Sequence, residues 1–208
     1  PLVVRAARGL VASGVVRRLG ATAPAGAVDD VRAALASAGA PVEVVPGGAT
    51  RQASVAAALA RLADEPDGTV VLVHDAARPL VPAGVVRRVA DAVAAGHPAV
   101  VPALPVHDTL KQVTPDGTVV ATVDRAALRA VQTPQGFTLG VLRAAHDAAA
   151  HRAHAEETAA TDDAGLVEAL GRPVLVVDGD PDAMKITTPR DLALAEALVG
   201  SAAAEGVR

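Results

Sequence analysis

Short apolar runs recur along the chain, and most are followed by a stretch in which apolar residues return every three to four positions. Residues 70–73 (VVLV), 99–104 (AVVPAL) and 174–177 (VLVV) read as strands buried on both faces. VEVV at 42–45 is a shorter strand of the same kind, and 16–23 a weak one, because RRLGATA lacks a solid apolar run. Helical periodicity covers residues 1–13, closed by Gly14, 27–38, closed by Gly39, and 51–63. It returns at 82–95, where a proline stands near the start and Gly96 past the end, and again at 139–151 and 162–170. The last helix starts with Thr188 as cap, Pro189 in the first turn and Asp191 three residues beyond the cap, and runs to about residue 199.

Strands alternating with helices through short loops predict right-handed βαβ crossovers. The expected fold is therefore α/β and Rossmann-like, with a mostly parallel sheet and helices on both faces, in a single domain over residues 1–208. The alternation breaks between 105 and 137. Residues 109–113 and 118–122 flank a Pro-Asp-Gly turn at 115–117, which is hairpin chemistry. This β-arm, at about 106–135, is expected to project from the sheet. Paired strands with few core residues need a partner, so homodimerisation through the arm is expected, with an unpartnered surface hairpin as the alternative. A doubly wound domain opens with a strand and a loop, whereas this chain opens with a helix, so a strand is expected ahead of Pro1.

Composition narrows the function classes. Of the 208 residues, 51% are hydrophobic, and Phe137 is the single aromatic. The core must be aliphatic, and no platform exists for stacking nucleic-acid bases. A net charge of −4 and an isoelectric point near 5.8 leave no basic footprint, so no nucleic-acid partner is expected. The absence of cysteine excludes disulfides and cysteine-ligated zinc. No apolar span of membrane length and no secretory leader are present, which predicts a cytoplasmic protein without a membrane partner.

Four stretches carry candidate chemistry. Asp75 follows the 70–73 strand, at the end of a sheet where ligands bind, and Ala76 and Ala77 leave the backbone approachable. Arg78 adds a fixed positive charge; the same pair also suits a capped turn with a surface ion pair. GGATRQASV at 47–55 joins a strand end to a helix start, whose free N–H groups favour an anion or the polar edge of a base. An ordinary strand-to-helix turn would look the same. DGDPDAMK at 178–185 gathers three acids and Lys185 in a loop after another strand. Carboxylates at two strand ends suit Mg²⁺ held together with substrate phosphates, although a solvated acidic turn is the plainer account of this loop. The arm and its flanks bring Thr109, Lys111, Arg125, Arg129, Thr133 and Thr161, hydroxyls and arginines that suit a phosphate monoester. The histidines lack metal-ligand spacing, and His146, His151 and His154 are expected on the surface.

Six of these motifs occur in a fixed order. GGxxRxxSV at Gly47, VHDAARP at Val73, DTLK at Asp108, TVDRAALRAVQTPQGF at Thr122, TDDAGLVE at Thr161 and GDPDAMKITTPRDL at Gly179 resemble the 2-C-methyl-D-erythritol 4-phosphate cytidylyltransferases. The resemblance runs from the first helix to about Leu198, and it extends to the related ribitol-5-phosphate cytidylyltransferases. It implies a homodimeric nucleotidyltransferase that combines CTP with a sugar-alcohol phosphate, on the non-mevalonate isoprenoid route, and releases pyrophosphate. It implies that Asp75 binds magnesium, that Gly47, Gly48, Ser54 and Ala76 face the nucleotide, and that Arg78 shapes the crevice. Thr109, Arg125, Thr133 and Thr161 match substrate-phosphate positions, with Arg125 reaching across the dimer, and Lys185 matches the lysine near the reacting phosphates. Asp180 or Asp182 is expected to assist the metal. The family's glycine-rich triphosphate loop is expected before Pro1. An inactive nucleotide-binding module is the alternative if no such loop exists.

Overall fold

The computed structural model describes residues 1–155 and 157–205, with side chains through Ser201. In chain order the elements are α1 (Leu2–Ala12), β1 (Leu19–Ala23), α2 (Val28–Leu35), β2 (Val42–Pro46), α3 (Arg51–Leu59), β3 (Val70–Val73), α4 (Ala83–Ala94) and β4 (Ala99–Pro105). Next come β5 (Leu110–Val113), β6 (Val119–Val123), β7 (Arg129–Val131), β8 (Gln135–Thr138), α5 (Leu139–Ala148), α6 (Asp163–Ala169), β9 (Leu175–Asp178) and α7 (Pro189–Glu205). Every strand and helix expected from periodicity forms. The weak strand condenses to β1, which gains its order by parallel pairing with β2.

Two strands escaped the sequence pattern. β7 and β8 both run antiparallel to β4, and β8 also lies antiparallel to β3. β9 lies parallel to β4, so β3, β4 and β9 share one direction and β8 runs against them. The result is an α/β fold with helices over its sheets and a reversed strand inserted between β3 and β4. Gly136 makes that insertion possible: a Cβ there would stand 2.6 Å from Cγ1 of Val89, so α4 packs directly on the β8 backbone.

Helices cover both faces of this sheet. On one face Phe137, Leu139, Leu142, Leu166 and Val167 form a buried apolar cluster under α5 and α6. On the other, Val85, Val86, Val89 and Val93 of α4 are buried against the strands. Each such side chain stabilises the fold by about 1.5–3 kcal/mol. β3 departs from its expected burial on both faces. Val70 is 37% exposed and the rest of the strand half-buried, because among the described residues β3 pairs with β8 alone.

β5 and β6 form the expected hairpin, separate from the main sheet. Its turn is closed by Gly117 N–H donating to Thr114 O at 2.9 Å, and Gly117 adopts φ 86°, which a side chain would resist. Residues 111–122 are all exposed. Among the described residues, no helix is long and apolar enough to cross a membrane.

Candidate active site

The carboxyl end of β3 leads into a tight turn in which Arg78 N–H donates to Asp75 O at 2.9 Å. Asp75 does not pair with Arg78. Its Oδ1 accepts from Nε of Arg51 at 3.2 Å, and its Oδ2 lies 3.1 Å from Nζ of Lys185. Burial opposes its ionisation, yet Arg51 and Lys185 outweigh that and hold the carboxyl below its usual range. Two cations, one from the start of a helix and one from a loop, thus converge on one acid.

Arg51 is the first residue of α3, and the turn before it explains its position. Thr50 caps the helix by accepting from Ala53 N–H, and donates its hydroxyl proton to Ala153 O at 2.8 Å. Ser54 Oγ accepts from Gly48 N–H at 3.1 Å and bonds Thr50 O at 2.9 Å. A Cβ on Gly48 would meet Ala53 Cβ at 2.3 Å, so this glycine is required by close packing, and one on Gly47 would crowd Ser54 Oγ at 2.7 Å. The helix start with its free N–H groups is held beside Asp75 through Arg51.

Lys185 arrives on the loop after β9. Ile186 N–H donates to Ala77 O at 2.8 Å, tying this loop to the Asp75 turn. Arg78 bridges the two, donating to Ala183 O at 2.7 Å and to Val131 O at 3.4 Å. Its guanidinium is half-buried, and burial lowers its pKa against the opposing pull of Asp75. Gln132 anchors the loop from the sheet side: its amide donates to Asp180 O and accepts from Asp180 N–H. Asp180 caps a short 3-10 turn by accepting from Asp182 N–H at 2.9 Å, and Asp182 is exposed.

Behind the acid lies a buried polar network. Arg51 also pairs with Asp163, whose Oδ2 lies 2.7 Å from it and whose Oδ1 lies 2.8 Å from Nε2 of His146. Asp163 is 1% exposed and His146 5%, so His146 is not the surface residue its polar neighbours suggested; its carboxylate partner draws it inward. Gln135 accepts from the N–H groups of Asp163 and Ala164 and donates to Asp162, fixing the start of α6. Because α6 begins there, the exposed Thr161 stands two residues from the network.

On the other side of Asp75, His74 is half-buried, and its partial removal from water is the main cause that pushes its pKa down to about 4. Its Nε2 lies 3.1 Å from Arg78 O and its Nδ1 2.9 Å from Thr133 Oγ1, while Asp75 N–H donates to the same Oγ1 at 3.1 Å. Thr133 itself is 4% exposed.

Among the described residues no cluster of three or more acidic or histidine side chains stands ready for a metal. A single hard carboxylate fits magnesium, which is commonly held by one or two protein oxygens plus substrate phosphates. Asp75 satisfies that requirement. Comparison with known proteins agrees with the geometry: the family profile for 2-C-methyl-D-erythritol 4-phosphate cytidylyltransferase matches residues 1–201. The chain belongs to this family.

Proteins bearing the family's name are similar over almost the whole chain. That of Saccharopolyspora erythraea is 55% identical over 199 residues, 95% of this chain and 86% of its own length. That of Nocardia farcinica is 52% identical over 204 residues, covering 98% of this chain and 84% of the relative. The crystal structure of the 2-C-methyl-D-erythritol 4-phosphate cytidylyltransferase from Thermus thermophilus superposes with a TM-score of 0.72. It is 43% identical, with 92% of this chain and 86% of that one covered. In this member of the cytidylyltransferase family, Asp75 is linked to Thr133, Lys185 and Arg51, and Arg51 opens the helix that follows the Gly47, Gly48 and Ser54 turn, while Ala76 and Arg78 lie in the turn after Asp75. Thr109 and Arg125 stand apart on the exposed arm, where Arg125 donates to His107 O. Sequence reasoning passed over the roles of His74, Arg51, Gln132, Gln135 and His146. Arg51, His74, Gln132 and Gln135 lie inside quoted motifs, but nothing in their spacing names their partners.

Proposed function

We propose that the chain transfers a cytidylyl group from CTP to 2-C-methyl-D-erythritol 4-phosphate and releases pyrophosphate, in isoprenoid precursor synthesis. The observation that carries this reading is the convergence of Arg51 and Lys185 on Asp75. Such a site is built for positioning and charge neutralisation, and phosphoryl chemistry asks for little else. The substrate's phosphate monoester is largely dianionic at neutral pH, with a second pKa near 6, so it is a nucleophile without help from a general base. One of its oxygens attacks the α-phosphorus in line. The bond from that phosphorus to the oxygen bridging to the β-phosphate breaks, and the electron pair leaves with pyrophosphate.

The residues divide the work. Lys185 is free to turn from Asp75 toward the phosphates, as its side chain is 44% exposed. The Gly47 and Gly48 turn, which carries no side chains of its own, lets the polar edge of the base approach the start of α3. Asp75 would hold magnesium, which supplies charge neutralisation on the triphosphate oxygens. Thr161 and Arg125 bind the sugar phosphate, and Arg125 does so from the arm of a second copy. The ribitol phosphate alternative is not favoured, since the family profile and the similar proteins carry the methylerythritol name.

Asp75→Asn tests the reading. It should reduce magnesium-dependent pyrophosphate release from CTP and the methylerythritol phosphate by at least about a hundredfold, with the unfolding midpoint retained. Turnover within a few-fold of the parent would remove Asp75 from the reaction.

A further inference from the structure

A carboxylate and an imidazole are shut away from water behind Asp75, and no step of the proposed reaction touches either. Asp163 is 1% exposed and His146 5%. A buried carboxylate is costly unless it is paired and hydrogen-bonded, and both oxygens of this one are engaged. Its Oδ2 accepts from Nη1 of Arg51 at 2.7 Å, and its Oδ1 lies 2.8 Å from Nε2 of His146. A carboxylate only accepts, so it is Nε2 of the ring that carries the proton and donates. Nδ1 of the same ring is buried and meets no protein partner among the described residues. Holding Asp163 is therefore the one polar task the ring performs. The backbone of Asp163 is fixed as well, its N–H donating to Gln135 Oε1 of β8 at 3.2 Å.

The two cations on Asp75 are held differently. Lys185 reaches it from the solvent side, with a side chain 44% exposed. Arg51 donates through Nε to Asp75 Oδ1 at 3.2 Å while its Nη1 stays on Asp163, so two carboxylates set the plane of one rigid fork. We infer that Asp163 and His146 are positioning residues, which lock the guanidinium of Arg51 and through it fix the direction of the Asp75 carboxylate. The relay runs from His146 on α5 to Asp163 on α6, to Arg51 on α3, and to Asp75 at the end of β3. Tied to Asp75 alone, Arg51 would swing together with the acid. Misplacement of an ångström at a reacting centre costs on the order of a hundredfold in rate.

The inference rests on Asp75 serving the proposed reaction, and two measurements keep the two apart. The first needs no turnover. In a proton–nitrogen correlation spectrum of the arginine side chains of the full chain, the Nε–H of Arg51 should exchange with water more slowly than that of the exposed arginines. Asp163→Ala removes both oxygens of the anchor and should abolish that protection. Exchange of Arg51 as fast as the exposed arginines in the parent protein, or protection that survives Asp163→Ala, overturns the inference whatever the activity.

The second is kinetic. Asp163→Ala should lower kcat roughly tenfold to a hundredfold and leave KM for CTP and for the sugar phosphate within about twofold. Should Asp163→Ala fail to fold, a pair of variants at His146 carries the same test. His146→Gln still offers a donor to Asp163 and should keep kcat within about twofold of the parent, whereas His146→Leu should lose kcat about tenfold and with it the protection of Arg51. Parental kcat in folded Asp163→Ala or His146→Leu, or a raised KM at unchanged kcat, overturns the inference. Absence of CTP-dependent pyrophosphate release in the parent protein would sink the proposed reaction, and the spectrum would still decide whether Asp163 anchors Arg51.

Discussion

Arg51 is the residue on which most of the site depends, because it answers two carboxylates at once. Its guanidinium can offer Nε to Asp75 and another nitrogen to Asp163, a geometry that the point charge of lysine cannot reproduce. Burial alone would favour losing its proton, but Asp163 and Asp75 together raise its pKa. Removing it leaves Asp163, 1% exposed, with His146 as its remaining side-chain partner. Arg51→Met should therefore destabilise the fold by about 3–5 kcal/mol in urea unfolding. Arg51→Met combined with Asp163→Asn should cost less than the sum of the two by about 1–3 kcal/mol, since the second change removes the charge that the first left stranded. Strict additivity would mean that the pair is not coupled. The acid and the lysine of this site were legible because a charge at the end of an apolar run is a local signal. Arg51, His74 and His146 were not, because their meaning lies in partners set by the fold: His74 meets Thr133 across 59 positions and His146 meets Asp163 across 17.

At the level of elements, the start of α7 is the clearest case of sequence dictating structure. Thr188 caps the helix by accepting from Asp191 N–H, and Asp191 reaches back to accept from Thr187 and Thr188 N–H at 2.9 and 2.8 Å. Those backbone donors, with the two threonine hydroxyls, push the Asp191 carboxyl down to about 2 from an ordinary 3.8. A carboxyl depressed in the folded state adds stability above its unfolded pKa, and that contribution is lost as pH falls from about 4 toward 2. Acid titration followed by helical circular dichroism should show this loss in the parent protein. Asp191→Asn should abolish the component that titrates in that window, since an amide has no proton to gain; an unchanged acid profile would show that the cap is not the titrating element. β8 is the opposite case. Gln135, Gly136, Phe137 and Thr138 have neither an apolar run nor a clean alternation, and they form a strand only because β3 and β4 both offer it a ladder and α4 needs a position without a Cβ. Its glycine and glutamine answer to tertiary contacts, which no local pattern records.

For the whole molecule, the arm decides whether one chain suffices. β5 and β6 form a two-stranded sheet of their own, and two strands with so little core are marginal without a partner. Val113, Val119 and Val120 are 53%, 55% and 60% exposed, an apolar stretch that a second copy would cover. Arg125, two residues past β6, would be carried by such an exchange to the neighbour's crevice. Light scattering should give a particle of twice the 20.6 kDa chain mass. Val113→Lys with Val120→Lys should convert it to a monomer while shifting the unfolding midpoint by no more than about 3 °C, because exposed positions contribute little to the core. A monomeric parent protein removes the arm from assembly, and a double variant that stays dimeric places the interface elsewhere. Complementation then tests the shared site. Asp75→Asn and Arg125→Ala should each be inactive alone, but in a mixed dimer the second chain's intact Asp75 would meet the first chain's intact Arg125. Turnover regained on mixing, and lost again when the lysine pair is added to both chains, is the outcome that a site built from two copies requires; if both sites were complete within single chains, mixing would restore nothing.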